Sequence, residues 1–157
     1  MSLVTLWLAC APMRRSWDFS ANDLDSPVVE LHLVRAKVKQ KDAVIEVRVR
    51  NPSDERLKLR LAAGQLSAPD GHGWPALSST SGPGRTLAIL GVQPRRQELV
   101  LPPKSSDTFQ IRVHQYGLDL RRYAQLELSL RLTAGDQLLE PVLVLSAPDD
   151  APRGQHI

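Results

Sequence analysis

From position 28 onward the apolar residues recur at every second site. Ile45, Val47 and Val49 alternate with Glu46, Arg48 and Arg50; Phe109, Ile111 and Val113 alternate with Gln110, Arg112 and His114. Leu57, Leu59 and Leu61 are separated by Lys58 and Arg60, and Leu126, Leu128, Leu130 and Leu132 by Glu127, Ser129 and Arg131. A period of two is that of strands with one buried and one wet face. The leucine tract tests this reading, because leucine is a good helix former. At about 100° per residue, Leu126 and Leu130 would lie on one side of a helix with Leu128 and Leu132 nearly opposite, and no single core buries both stripes. As a strand, all four leucines point the same way.

Turn residues bound these runs. Lys39-Gln-Lys-Asp42 predicts a hairpin between strands near 28–38 and 43–50; Asn51-Pro-Ser-Asp54, Leu101-Pro-Pro-Lys-Ser-Ser106 and Thr133-Ala-Gly-Asp136 close others. Shorter strands are expected near 64–68, 86–92, 97–101 and 138–145. Such a run of short strands, with almost no helical pattern, predicts an all-β chain: an antiparallel two-sheet β-sandwich of seven to eight strands over residues 28–146. Tyr116–Tyr123 is expected to form one helical turn crossing between the sheets, with Tyr123 either a corner tyrosine of the immunoglobulin type or a plainly packed one. Residues 11–27 show no period and read as a tether whose Trp17 and Phe19 dock on the domain. Residues 147–157 read as a disordered tail.

Composition narrows the function. The chain has 157 residues, 42% hydrophobic and 24% charged, which suits one globular domain. A single Cys excludes an internal disulfide and any thiol-rich metal site. The net charge is only +3, and the arginine pairs 14–15, 95–96 and 121–122 are scattered, which points away from nucleic acid.

The one Cys has a telling position. Residues 1–10, Met-Ser-Leu-Val-Thr-Leu-Trp-Leu-Ala-Cys, are uncharged and mostly apolar, and too few to cross a bilayer as a helix. Leu8-Ala9-Cys10 resembles the lipobox of bacterial lipoproteins. That resemblance implies cleavage before Cys10, acylation of its sulfur and a membrane anchor. It further implies a cell-envelope location on the periplasmic side and, because Ala11 rather than Asp follows, at the outer membrane. The alternative is a frayed apolar terminus, or a first strand, holding a buried thiol.

A strand ending at Asn51-Pro52, an alternating strand after it, and Leu-Pro-Pro-Lys-Ser-Ser leading into Phe109-Gln-Ile-Arg-Val together resemble the immunoglobulin-like sandwiches of bacterial extracytoplasmic lipoproteins. They are also similar to the water-stress (late-embryogenesis-abundant, type 2) domain, although Ser53 stands where that pattern has a second Asn. The likeness spans about 28–145 and implies a non-enzymatic domain.

No nucleophile elbow, zinc-protease helix, phosphate loop or dinucleotide fingerprint is present in the sequence. No enzyme activity and no cofactor are therefore expected. His32 and His114 both point outward by alternation, but no third ligand is implied and no metal site is expected. The segment 69–85 lacks periodicity and is long for a connection in a compact domain, a property of functional or disordered loops. His72, Trp74, Pro75 and Arg85 in it are the candidate partner-binding residues, since exposed Trp is enriched at binding hot spots. The other reading has Trp74 folding back to cap the core. The functions expected are thus an envelope lipoprotein that binds a protein partner or serves assembly through this domain, or, alternatively, a stress-protective or small-apolar-ligand-binding sandwich without catalytic activity.

Overall fold

The computed structural model describes residues 16–75, 77–80, 97–115 and 117–149. The alternating runs are strands, and all pairings between them are antiparallel. In chain order they are β1 (Ser16–Ala21), β2 (Leu24–Asp25), β3 (Glu30–Lys39), β4 (Asp42–Arg50), β5 (Leu57–Ser67) and β6 (Gly73–Pro75). Then follow β7 (Leu77–Thr80), β8 (Gln97–Leu101), β9 (Ser106–His114), β10 (Gln125–Ala134), β11 (Gln137–Leu139) and β12 (Val142–Ser146). A 3-10 turn at Leu120–Arg122 is the helical turn expected between β9 and β10. Among the described residues, no helix is long and apolar enough to cross a membrane.

The hydrogen-bonded order is β6-β5-β10-β12-β1-β3-β4-β9-β7, with β2 added to β3, β11 to β10 and β8 to β5. Two ladders can be traced in it, one centred on β4 and one on β10. β1 belongs to both: Ser16–Phe19 pair with β3, while Ser20 and Ala21 pair with β12. At the other end, β6 lies on β5 and β7 on β9, and only residue 76 separates these two strands in sequence. The sheet is therefore nearly closed on itself, and the buried side chains of both ladders form one apolar cluster.

Two strands change face in mid-course. Val29 and Leu31 are buried at odd positions, then Ala36 and Val38 at even ones; the β3–β4 register slips at Val34, which is 46% exposed. In β5 the inward residues Leu57, Leu59 and Leu61 give way to Leu66 and Ala68, and the register with β10 slips between Arg131 and Leu132 opposite Ala62. A β-bulge adds one residue to one strand, which exchanges the two faces of a period-two pattern. The separate strands expected at 57–61 and 64–68 are consequently one.

The expectations fail in three further places. Residues 11–27 are not a tether from Ser16 onward, because Trp17 and Phe19 are core residues of β1. Two inward side chains make too short an alternation to stand out, and β1 exists because β3 and β12 offer it partners. The segment 69–85 is not a structureless loop either, since it contributes β6 and β7 to opposite ladders. Ala147, at the start of the expected tail, packs on the core and donates its amide to Ala124 O at 2.9 Å. The strand expected near 86–92 lies outside the described residues.

Turns follow local chemistry. Gly135 has φ +60° at the first position of the two-residue β10–β11 loop, where a side chain would be strained. Two buried polar residues hold the crossings between ladders. Asn51 donates through Nδ2 to the carbonyls of Glu55 (2.7 Å), Leu101 (3.2 Å) and Pro102 (3.1 Å), and its Oδ1 accepts from Ser53 N and Oγ. Gln115 donates through Nε2 to the carbonyls of Gln40 and Leu118 and accepts from Leu118 N through Oε1.

If β1 is part of the core, Trp17→Ala should lower the unfolding free energy by about 3–5 kcal/mol, in the range of buried aromatic truncations. Urea denaturation measures this as a fall in the midpoint with little change in slope. An unchanged midpoint would return residues 16–21 to the status of a tether.

Candidate functional site

The Pro69-Asp70-Gly71 triplet forms the loop of a tight β5–β6 hairpin. Ala68 N donates to His72 O at 2.8 Å, Gly71 N donates to Ala68 O at 3.1 Å, and Gly71 adopts φ +92°. A three-residue hairpin loop with glycine in the left-handed position has this form. Read as a turn, Pro-Asp-Gly was the signal in the sequence that a strand would follow.

The hairpin tip carries a small polar and aromatic assembly. Asp70 Oδ1 accepts from His72 N at 3.1 Å and lies 2.9 Å from His72 Nδ1. Its Oδ2 accepts from the Tyr123 hydroxyl at 2.8 Å. Tyr123 directly follows the 3-10 turn, so this bond ties the tip of β5–β6 to the crossing before β10. That turn is itself held by Asp119, which accepts from Arg121 N, Nε and Nη2. The Arg121 bonds hold the Asp119 carboxyl below its ordinary range.

Trp74 stands opposite buried Leu66 in the β5–β6 register and packs half-buried on the core. The His72 ring lies nearly parallel to it (6.3 Å between centroids, 11°), and the Tyr123 ring is tilted against it (6.1 Å, 59°). Trp74 therefore caps the edge of the core, as one of the two readings held, while the residue stays partly exposed. Tyr123 is not a corner tyrosine: its hydroxyl reaches a carboxylate in another hairpin instead of nearby upstream backbone.

The electrostatics follow from these bonds. The Tyr123 hydroxyl, with the His72 ring and amide, holds the Asp70 carboxyl down at about 2. Partial burial, with the Asp70 bond second, pushes the Tyr123 phenol up to about 12. Asp70 thus stays ionised as an acceptor and Tyr123 stays protonated as its donor. Such a pair is suited to holding a surface in shape and poorly suited to exchanging protons near neutrality.

Of the residues expected to form a binding loop, the structure brings His72 and Trp74 together. Pro75 pairs through its backbone with Gln65 in β6. Arg85 and Cys10 lie outside the described residues. Asp70 and Tyr123, the groups that fix the tip, were not legible as partners because 53 residues separate them in the chain. His32 and His114 are not brought together. His32 aligns with Thr108 across β4, and His114 lies six residues further along β9, about 20 Å away. His114 instead meets Asp42, its cross-strand neighbour, and His32 meets Asp23.

No protein-family model matches the chain, and no curated protein sequence matches it. Among solved structures, the chain is similar to the GAE domain of GGA2p from Saccharomyces cerevisiae, at 9% identity and a TM-score of 0.39 over 83% of this chain and 99% of that one.

The tip should show its linkage in pH titrations. A carboxyl whose folded pKa is about 2, against 3.8 unperturbed, stabilises the fold above pH 3.8, and that contribution is lost as pH falls through 2. The Tyr123 contribution is complete below pH 10 and lost as pH rises through 12. Tyr123→Phe is expected to move the Asp70 carboxyl upward toward 3.8 in a carbon-detected NMR titration, with the remaining depression supplied by His72. An unmoved Asp70 titration would show that the bond does not form.

Proposed function

We propose that this chain is a cell-envelope lipoprotein, anchored through Cys10, whose domain is an immunoglobulin-like two-sheet sandwich and binds a protein partner through the β5–β6 tip. The observation that carries the reading is the tip itself. Trp74 is half-buried and held by neighbours that are held in turn: Tyr123 by Asp70, Asp70 by His72. A large aromatic fixed before its partner arrives loses little side-chain entropy on binding, and this is what distinguishes an anchor residue from a merely exposed one. The sandwich reading rests on the single apolar cluster formed by inward residues of both ladders.

The anchor reading rests on the sole Cys following Leu8-Ala9. Acyl chains on Cys10 would secure the domain to a membrane, each buried methylene contributing about 0.8 kcal/mol. Only five residues, 11–15, separate Cys10 from β1, a span of at most about 20 Å. The domain would sit close to the periplasmic face of the outer membrane, and its partner would be another envelope protein. No catalytic step is assigned to it.

Metabolic labelling with an alkyne fatty acid in a bacterial host tests the anchor: label is expected on the wild-type chain and absent from Cys10→Ser. Label that is missing from both, or equal in both, removes it. For the tip, quantitative cross-linking to envelope proteins should fall about tenfold or more in Trp74→Ala while the melting curve still shows a folded domain. Equal cross-link yields would overturn the role of Trp74.

A further inference from the structure

The geometry points to a divalent-cation site on the β2–β3 hairpin, with Asp25, Glu30 and His32 as ligands and Asp23 as the residue that positions His32.

The site grows out of the stretch Asp23-Leu-Asp-Ser-Pro-Val-Val-Glu-Leu-His32. Ser26 closes the turn: its Oγ accepts from Val28 N (3.2 Å) and Val29 N (3.1 Å), and its N donates to Val29 O (3.1 Å). The register sets Leu24 opposite Leu31 and Asp25 opposite Glu30, and Asp23 and His32 are the next residues beyond that pairing on either side. Leu31 is buried and Leu24 packs on the core. By alternation, Asp23, Asp25, Glu30 and His32 share the outer face as two cross-strand pairs.

Their atoms converge. His32 Nδ1 lies 3.1 Å from Asp23 Oδ1, while Nε2 lies 3.7 Å from Asp25 Oδ1 and 3.9 Å from Glu30 Oε2. One ligand atom from each of Asp25, Glu30 and His32 falls within 4.8 Å of the other two. With bonds of about 2.1 Å, tetrahedral ligands stand about 3.4 Å apart, so small rotations of the carboxylates close the set. Asp25 is exposed and has room for that rotation.

His32 makes this more than a group of acids. Asp23 Oδ1, 3.1 Å from Nδ1, is within reach to accept Nδ1–H, and doing so would leave the Nε2 lone pair for the other two ligands, the arrangement that orients histidine at metal sites. Two cations face the group from β4. Arg50, opposite Glu30, donates to Glu30 Oε2 at 2.9 Å, and Arg48 stands opposite His32. Arg50 thus competes with a cation for one ligand oxygen, and removing it should tighten binding. One imidazole with two carboxylates suits a first-row divalent ion such as Zn²⁺ better than Ca²⁺, which takes six to eight oxygens. A bound cation would clamp β2 to β3 next to Asn22, whose Oδ1 accepts from Val144 N in β12 at 3.1 Å.

Titration calorimetry of the full chain with Zn²⁺ alone should show one saturable site. His32→Ala and Asp25→Asn should each weaken it at least tenfold, Arg50→Ala should strengthen it, and a His72→Ala/His114→Ala double variant should leave it unchanged. Asp23→Ala should weaken binding about tenfold and shift the His32 ring nitrogens away from the Nδ1–H tautomer in ¹⁵N spectra, whereas Asp23→Asn, which still accepts Nδ1–H, should restore the tautomer. Mn²⁺ should broaden amide signals within residues 23–32 first. An absence of saturable binding, binding that survives His32→Ala undiminished, or broadening centred elsewhere would overturn the site. Saturating Zn²⁺ raising the melting temperature of the wild type but not of His32→Ala would support it independently of calorimetry.

Discussion

A chain whose nearly closed sheet buries one apolar cluster must pass from one ladder to the other, and each crossing brings peptide groups out of reach of water. A buried amide or carbonyl without a partner is destabilising by about 1–3 kcal/mol. Asn51 and Gln115 meet this constraint at the places where β4, β8 and β9 hand the chain across. Asn51 bonds three carbonyls from two connections, and Asn51 N and Lys104 N tie those connections together through Ser105 O and Ser53 O. Gln115 does the same for the β3–β4 hairpin and the 3-10 turn, with Leu120 N reaching Gln40 O. These two are the buried polar residues among those described, and each answers a need created by topology.

Where the crossings are held, the surface beside them is held too. Leu120 is buried within the turn that Asp119 caps, and this places Tyr123 where its hydroxyl meets Asp70. The β5–β6 tip is consequently braced by a second element, which gives Trp74 a fixed setting on the surface. The β2–β3 hairpin owes its geometry to the same economy of connections: Leu24 and Leu31 go inward, and Asp23, Asp25, Glu30 and His32 are left together on the outside.

Much of the architecture was legible from alternation. β4, β9 and β10 present inward the residues that period two selects, such as Val47, Ile111 and Leu128, since the extra residues of the bulged ladders fall on their partners β3 and β5. The bulges at Val34 and Ala62 were not legible, because a bulge is a relation between two strands and leaves only a change of phase in one of them. β1 was hidden for a related reason: Trp17 and Phe19 are ordinary residues in a polar stretch until β3 and β12 pair with it. The hairpin after it is hidden in the same way, because β2 is only two residues long and nothing in the sequence sets its carboxylates beside His32. Within the site, His72 and Trp74 were visible as unusual residues in a connection, whereas Asp70 and Tyr123 were visible only as a turn residue and a spare aromatic.

The division has a simple physical origin. Which side chains go inward depends on spacing along one strand, a short-range property that hydrophobic burial enforces wherever the strand sits. Which strands become neighbours, where a ladder slips by a residue, and which polar groups meet outside depend on contacts between positions far apart in the chain, such as Asp70 with Tyr123 and Asn22 with Val144. Residue order along the chain therefore settled the two-faced strands and their turns, while the closing of the sheet through β1 and the grouping of its surface chemistry arose only when the chain folded back on itself.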